Sequence, residues 1–226
     1  MRDFGSIPYE LITAQHNFFP AGRTTGICIS AIKCLLILGL RCNFYSKEVS
    51  LSLSELEEYT GCSKPMIIKG INHLIVIGVI TKLNQGKTNV KGKYLINFPS
   101  KKFTQVPYEV FNKLRHFPNK GIVPLVALIA YLVLLKFRIN NTAKAEVSYA
   151  GFSRYHINQK HLGKALAVLI SLQYISISTQ YNEVDGVYVK SCNNYFLYYF
   201  SMTTFNKDSH KVKDIALSDE IAHSLY

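Results

Sequence analysis

Residues 51–83 read "LSLSELEEYTGCSKPMIIKGINHLIVIGVITKL", and the reading of this stretch decides the fold. Ser54 followed by Glu55, Glu57 and Glu58 predicts a helix start, because a hydroxyl can accept from an unpaired first-turn amide and carboxylates suit the positive end. Leu56 and Tyr59 give that helix an inward face. Thr60-Gly61-Cys62 predicts a tight turn, with Gly61 free to take positive φ. Ser63 opens a second helix, where Pro65 is tolerated because first-turn amides have no helical partner. Ile67, Ile71 and Leu74 then recur at i, i+4, i+7 and line its buried side. Gly78 ends it, "VITKL" (79–83) starts a strand, "NQGKTNVKG" (84–92) turns and "KYLINF" (93–98) returns. The order is helix, sharp turn, helix, hairpin.

Outward from this stretch the chain repeats itself. "IPYELI" at 7–12 is answered by "VPYEVF" at 106–111, and Phe19-Pro20 by Phe117-Pro118 at an offset of 98. Each pair is followed by a long apolar helix that runs out in Arg and Asn, Arg41 and Asn43 against Arg138 and Asn140. "KEVSLS" (47–52) matches "AEVSYA" (145–150), again at 98; "IKGINHLIVIGVI" (68–80) then matches "GKALAVLISLQYI" (163–175) at an offset of 95. A surface turn absorbs the three missing residues. "YLINF" and "YFLYYF" close the two halves with strand-like alternation. The expectation is an internal duplication, 1–100 and 101–226, joined near "FPSKKFTQ" (98–105), where Pro99 and a Lys pair interrupt the pattern.

The chain has 226 residues, 48% of them hydrophobic and 18% charged, which makes it core-forming rather than disordered. Its net charge of +12 divides into +5 over residues 1–100 and +7 over 101–226. Such an excess suits nucleic acid or an anionic membrane surface; a merely soluble basic protein is the plainer alternative. "ICISAIKCLLILGL" (27–40) is interrupted by Lys33. "IVPLVALIAYLVLL" (122–135) is 14 residues long, short of the roughly 20 a bilayer needs, so both are expected as buried helices. The five cysteines, Cys28, Cys34, Cys42, Cys62 and Cys192, show no zinc-like spacing. Four of them lie in or near apolar helical stretches, where a cysteine behaves as a small buried hydrophobe, and a reducing cytoplasm is the expected compartment. "MRDFGSIPYE" (1–10) lacks the apolar core of a signal peptide.

Over residues 46–98, and again over 145–200, the pattern resembles the winged helix-turn-helix superfamily. The fold class this implies is α+β, helix-rich, with two winged-helix domains. The tandem arrangement, with a PYE flank and a long helix before each motif, looks like plasmid and phage replication initiator proteins. That resemblance implies a second winged helix gripping origin DNA in the major groove, and a first one contributing dimerisation and further DNA contacts. A transcriptional regulator with tandem winged helices, and an adaptor whose winged helices bind protein, remain as alternatives.

A recognition helix keeps one face for the core and turns the other to bases and phosphates. In "NQKHLGKALAVLI" (158–170) Leu162, Leu166 and Leu169 face inward, which leaves Gln159, Lys160, His161, Gly163 and Lys164 outward, with Arg154 just upstream. Gln pairs with adenine and Lys reaches guanine or phosphate. An ordinary solvated helix face is the alternative for the same residues. In the first copy Lys64, Pro65, Met66, Ile68, Lys69 and Asn72 are the outward set, and its apolar members suit a protein interface, such as a homodimer through the first domain. The first hairpin carries Lys82, Lys87, Lys91 and Lys93, a basic wing suited to phosphate. The second carries Glu183 and Asp185 near its tip, which phosphate would repel. Contact is therefore expected to be helix-led in the second copy and wing-led in the first. The tyrosines of "NNYFLYYF" (193–200) read as strand residues rather than base-stacking platforms.

No P-loop stands in the sequence, the seven histidines are scattered, and Tyr198 and Tyr199 would face opposite sides of a strand. No enzyme activity, cofactor, metal or small-molecule substrate is expected; the expected partner is double-stranded DNA. The final stretch, "NKDSHKVKDIALSDEIAHSLY" (206–226), reads as a short helix or a tail.

Overall fold

The computed structural model describes residues 4–84, 91–99, 102–140, 142–184, 187–198 and 200. Lys87, Asp185 and the stretch 206–226 lie outside the described residues, as does the side chain of Glu183.

The chain is an α+β protein with seven α-helices and small antiparallel sheets among the described residues. Its first half runs β1 (Phe4–Pro8), a 3-10 turn (Tyr9–Leu11), α1 (Thr25–Arg41), β2 (Glu48–Leu51), α2 (Leu53–Thr60), α3 (Lys64–Val76), β3 (Ile80–Lys82) and β4 (Gly92–Ile96). Its second half runs β5 (Phe103–Pro107), α4 (Val110–Lys113), a 3-10 turn (Leu114–His116), α5 (Ile122–Lys136), β6 (Lys144–Glu146), α6 (Tyr149–Ser153), α7 (Gln159–Ser171), β7 (Ile175–Val184) and β8 (Val187–Leu197). The strand orders correspond: β2-β4-β3 in one half and β6-β8-β7 in the other.

The two long helices are apolar nearly all round, and a helix of that kind must be enclosed. Every residue of α1 from Cys28 to Leu40 is buried, as is every residue of α5 from Leu125 to Leu135. They pack on each other and, with both helix pairs, into one continuous hydrophobic cluster that spans the two halves. Close approach on α1 is set by small residues. A Cβ on Gly70 of α3 would lie 2.8 Å from the backbone of Ala31, and Ser30 Oγ donates to Met66 O at 3.0 Å.

Where the halves meet, β1 and β5 pair antiparallel as a two-stranded sheet. Phe4 stands opposite Pro107 and Pro8 opposite Phe103, with Ser6 opposite Gln105 at the centre. "FGSIP" and "FTQVP" share Phe at the first position and Pro at the last. Exchanging the strands therefore leaves the pairing unchanged, the self-complementary register that a local two-fold axis produces.

Lys33 crosses the same junction. It is 0% exposed, and its Nζ donates to Thr60 O at 2.8 Å, Phe117 O at 2.6 Å and Asn119 Oδ1 at 2.6 Å. The three donors of an ammonium thus meet three acceptors, two of them in the second half. Asn119 Nδ2 donates to Gly61 O at 2.6 Å, so the turn between α2 and α3 is bonded directly to the second half. Burial brings the Lys33 ammonium down to about 8, while Cys62 and Cys34 act in the opposite sense.

Left-handed backbone recurs at the spacing of the later sequence repeat. Gly61 has φ 65° and His156 has φ 62°; Gly78 has φ 73° and Gln173 has φ 56°. Both pairs are separated by 95 residues. The conformation is thus kept at each position while the residue type changes.

Candidate nucleic-acid interface

The helix expected to read DNA is α7. Asn158 caps it by accepting from Lys160 N at 2.9 Å, and Ser148 caps the short α6 by accepting from Gly151 N at 2.9 Å. Positive φ at His156 turns the chain sharply enough to set α7 across α6. Leu162, Ala165, Leu166 and Leu169 are buried beneath α7. Gln159, Lys160, Gly163 and Lys164 are exposed along its outer side, His161 is half-buried, and Arg154 is exposed in the turn before it. Gln159 Nε2 donates to Ser153 Oγ at 3.0 Å, which holds the amide at the helix start. A Cβ added to Gly163 would meet nothing within 4 Å. Open surface, two lysines and the positive end of a helix therefore coincide on one face.

Ion pairing separates the two halves. Among the described residues, Arg154, Lys160 and Lys164 form no ion pair. Three of the four pairs there lie in the first half. Lys91 meets Glu55 at 2.9 Å, Lys93 meets Glu48 at 2.8 Å, and Lys64 meets Glu57 at 3.7 Å. Lys91, helped by the Ser52 backbone and side chain, brings the Glu55 carboxyl down to about 2. The basic wing expected from "KLNQGKTNVKGK" thus has two of its lysines committed to carboxylates on β2 and α2. Lys69 and Lys82 are exposed.

Two local expectations need correction. Ser54 is not the cap of α2: Ser52 is, accepting from Glu55 N at 3.1 Å while Glu55 Oε2 accepts from Ser52 N at 2.7 Å. That reciprocal box begins the helix one residue after Ser52 and leaves Ser54 inside its first turn. Met66 is not an outward residue. It is half-buried and packed on the core, its Cε methyl 3.4 Å from where a Gly26 Cβ would stand. Ile68 at 45% exposure and Val76 at 83% remain the open apolar positions of α3. Ser63 does occupy the N-cap of α3, without a side-chain bond, and Pro65 sits in its first turn.

The sequence reading assigned Lys102, Lys136 and Arg138 to no site, yet they gather around one cleft. The signal available for the last two was their position, immediately after the apolar run of α5. Among the described residues no group of three or more His, Cys, Asp or Glu could hold a metal ion, and no helix is long and apolar enough to cross a membrane. Cys28, Cys34, Cys42 and Cys62 are buried and in no disulfide among the described residues.

No protein-family model matches this chain, and no curated protein matches it.

Proposed function

We propose that the chain is a sequence-specific double-stranded DNA-binding protein built from two winged-helix domains, 1–100 and 101–226, that arose by duplication, and that it acts as a plasmid- or phage-type replication initiator. The duplication is supported by the matching strand orders, the self-complementary β1–β5 register and the left-handed residues recurring 95 positions apart. The winged-helix reading is supported by a helix pair joined through one left-handed residue and followed by an antiparallel hairpin, in each half.

The observation that carries DNA binding is the outer face of α7. Lys160 and Lys164 on it, and Arg154 in the turn before it, stand exposed and without a carboxylate partner among the described residues. Free lysines can displace counterions from phosphate; a lysine already in an ion pair must first give that pair up. Contact is therefore led by α7, with Gln159 and His161 beside the lysines. Lys64, Lys69, Lys87, Lys91 and Lys93 supply secondary contacts from the first domain. Ile68 and Val76, open on α3, favour a homodimer through that domain over base reading.

Fluorescence anisotropy with duplex DNA at low and moderate salt tests the proposal. Steep weakening with salt is expected, and negligible binding at both would support the protein-binding adaptor instead. Sequencing duplexes selected from a random pool separates the initiator from the transcriptional regulator: direct repeats favour the first, a palindrome the second.

A further inference from the structure

We propose that the cleft between the first half's flank and the C-terminal end of α5 is a binding site for a phosphate group. The cleft has a volume of about 420 Å³ and is lined by Tyr9 from the first half and by Lys102, Gln105, Lys136, Arg138 and Asn140 from the second. Among the described residues that line it there is no carboxylate.

Two of its cations, Lys136 and Arg138, are positioned chiefly by neutral groups. Lys136 Nζ donates to the Ile12 carbonyl and lies 4.3 Å from the centre of the Tyr9 ring and 5.5 Å from that of Tyr155. Arg138 donates through Nη1 to Thr142 O at 2.7 Å and through Nη2 to Gln105 Oε1. Carbonyls, an amide and aromatic faces fix where these charges sit and leave their net charge in place. Among the described residues neither Lys136 nor Arg138 forms an ion pair; Glu10 acts on Lys136 and offsets part of its charge. Both cations are half-buried, and burial lowers the pKa of each. Charges held partly out of water without a full counter-charge gain more from an incoming anion than charges on open surface do.

A phosphate group suits this arrangement. Its several acceptor oxygens can bridge two ammonium groups and a guanidinium, and the amide of Asn140 adds a donor. The phosphate has two possible sources, the backbone of duplex DNA or a free phosphate ester. The site does not rest on the DNA reading, because its residues are distinct from those of the α7 face.

The test uses the full chain and the variants Lys102→Gln, whose side chain is exposed, and Lys136→Met, which keeps the apolar stem. Thermal unfolding is followed while chloride is replaced by inorganic phosphate at constant ionic strength. A saturable rise in Tm is expected for the unsubstituted protein and a smaller one for each variant. Duplex binding is measured in parallel against salt. If the cleft holds a backbone phosphate, Lys102→Gln lowers the slope of log K against log salt by about 1, and free phosphate competes with DNA. An unchanged slope with a persisting Tm rise assigns the site to a free phosphate ester. A Tm response equal in all three proteins, together with an unchanged slope, overturns the proposal. Phosphate binding in a chain that binds no duplex at all keeps this site and removes the proposed function instead.

Discussion

At Gly61 the backbone requirement is double. Its φ of 65° lies in the left-handed region, and a Cβ there would fall 2.5 Å from Arg115 O of the other half. Gly61→Ala is therefore expected to lose about 2 kcal/mol or more in urea unfolding, above the roughly 1–2 kcal/mol of left-handed strain alone. Lys33 is the second residue on which the junction depends. Its folded value of about 8 lies below the ordinary 10.5, so between those values the native state has released a proton that the unfolded chain keeps. Stability arising from this group therefore increases as pH rises through that window, by about 3 kcal/mol in total. Urea midpoints from pH 7.5 to 10 should show the rise in the unsubstituted protein relative to Lys33→Met. That comparison matters because Tyr94 and Cys28, pushed up by burial, act in the opposite sense at high pH. The turn at Gly61 was legible because glycine between two helix patterns has few other uses. Lys33 read only as an interruption in an apolar run. Its acceptors lie at Thr60, Phe117 and Asn119, and no local pattern brings such distant segments together.

At the scale of the element, Gly163 of α7 lets stability be varied separately from the proposed DNA contact. An exposed mid-helix glycine with nothing within 4 Å of its missing Cβ weakens a helix by about 1 kcal/mol relative to alanine. Gly163→Ala is thus expected to raise stability by that amount and, if α7 lies close against DNA, to weaken binding. Raised stability with unchanged affinity would show that DNA does not approach α7 closely at Gly163. Lys160→Ala with Lys164→Ala should reduce specific binding at least tenfold more than Lys64→Ala does, since Lys64 is already paired with Glu57 at 3.7 Å. Equal losses in anisotropy titrations would sink this division of labour. The periodicity of Leu162, Leu166 and Leu169 was enough to orient α7, because burial is written into spacing. The first hairpin was harder to read. Lys91 and Lys93 look like a basic hairpin until folding brings Glu55 and Glu48 against them, and that pairing depends on the register of β2 with β4.

At the scale of the whole molecule, the repeat was visible in the sequence but its consequence was not. Two similar flanks suggest two similar units; nothing in "FGSIP" or "FTQVP" says that they pair with each other rather than each with its own sheet. The pairing, the packing of α1 on α5 and the Lys33–Asn119–Gly61 bonds make the halves share one core. Two halves so joined should unfold together, in one transition. Asn119→Ala tests this directly. It removes an acceptor from a fully buried ammonium and the donor to Gly61 O, a loss expected to be about 2–3 kcal/mol. Because the bonds join the halves rather than serve one of them, hydrogen exchange should speed up in α3 and in α7 alike. If exchange instead rose in α3 alone while α7 kept its protection, each half would be stable by its own core. The β1–β5 sheet would then be a tether between two independently stable units, not a shared foundation.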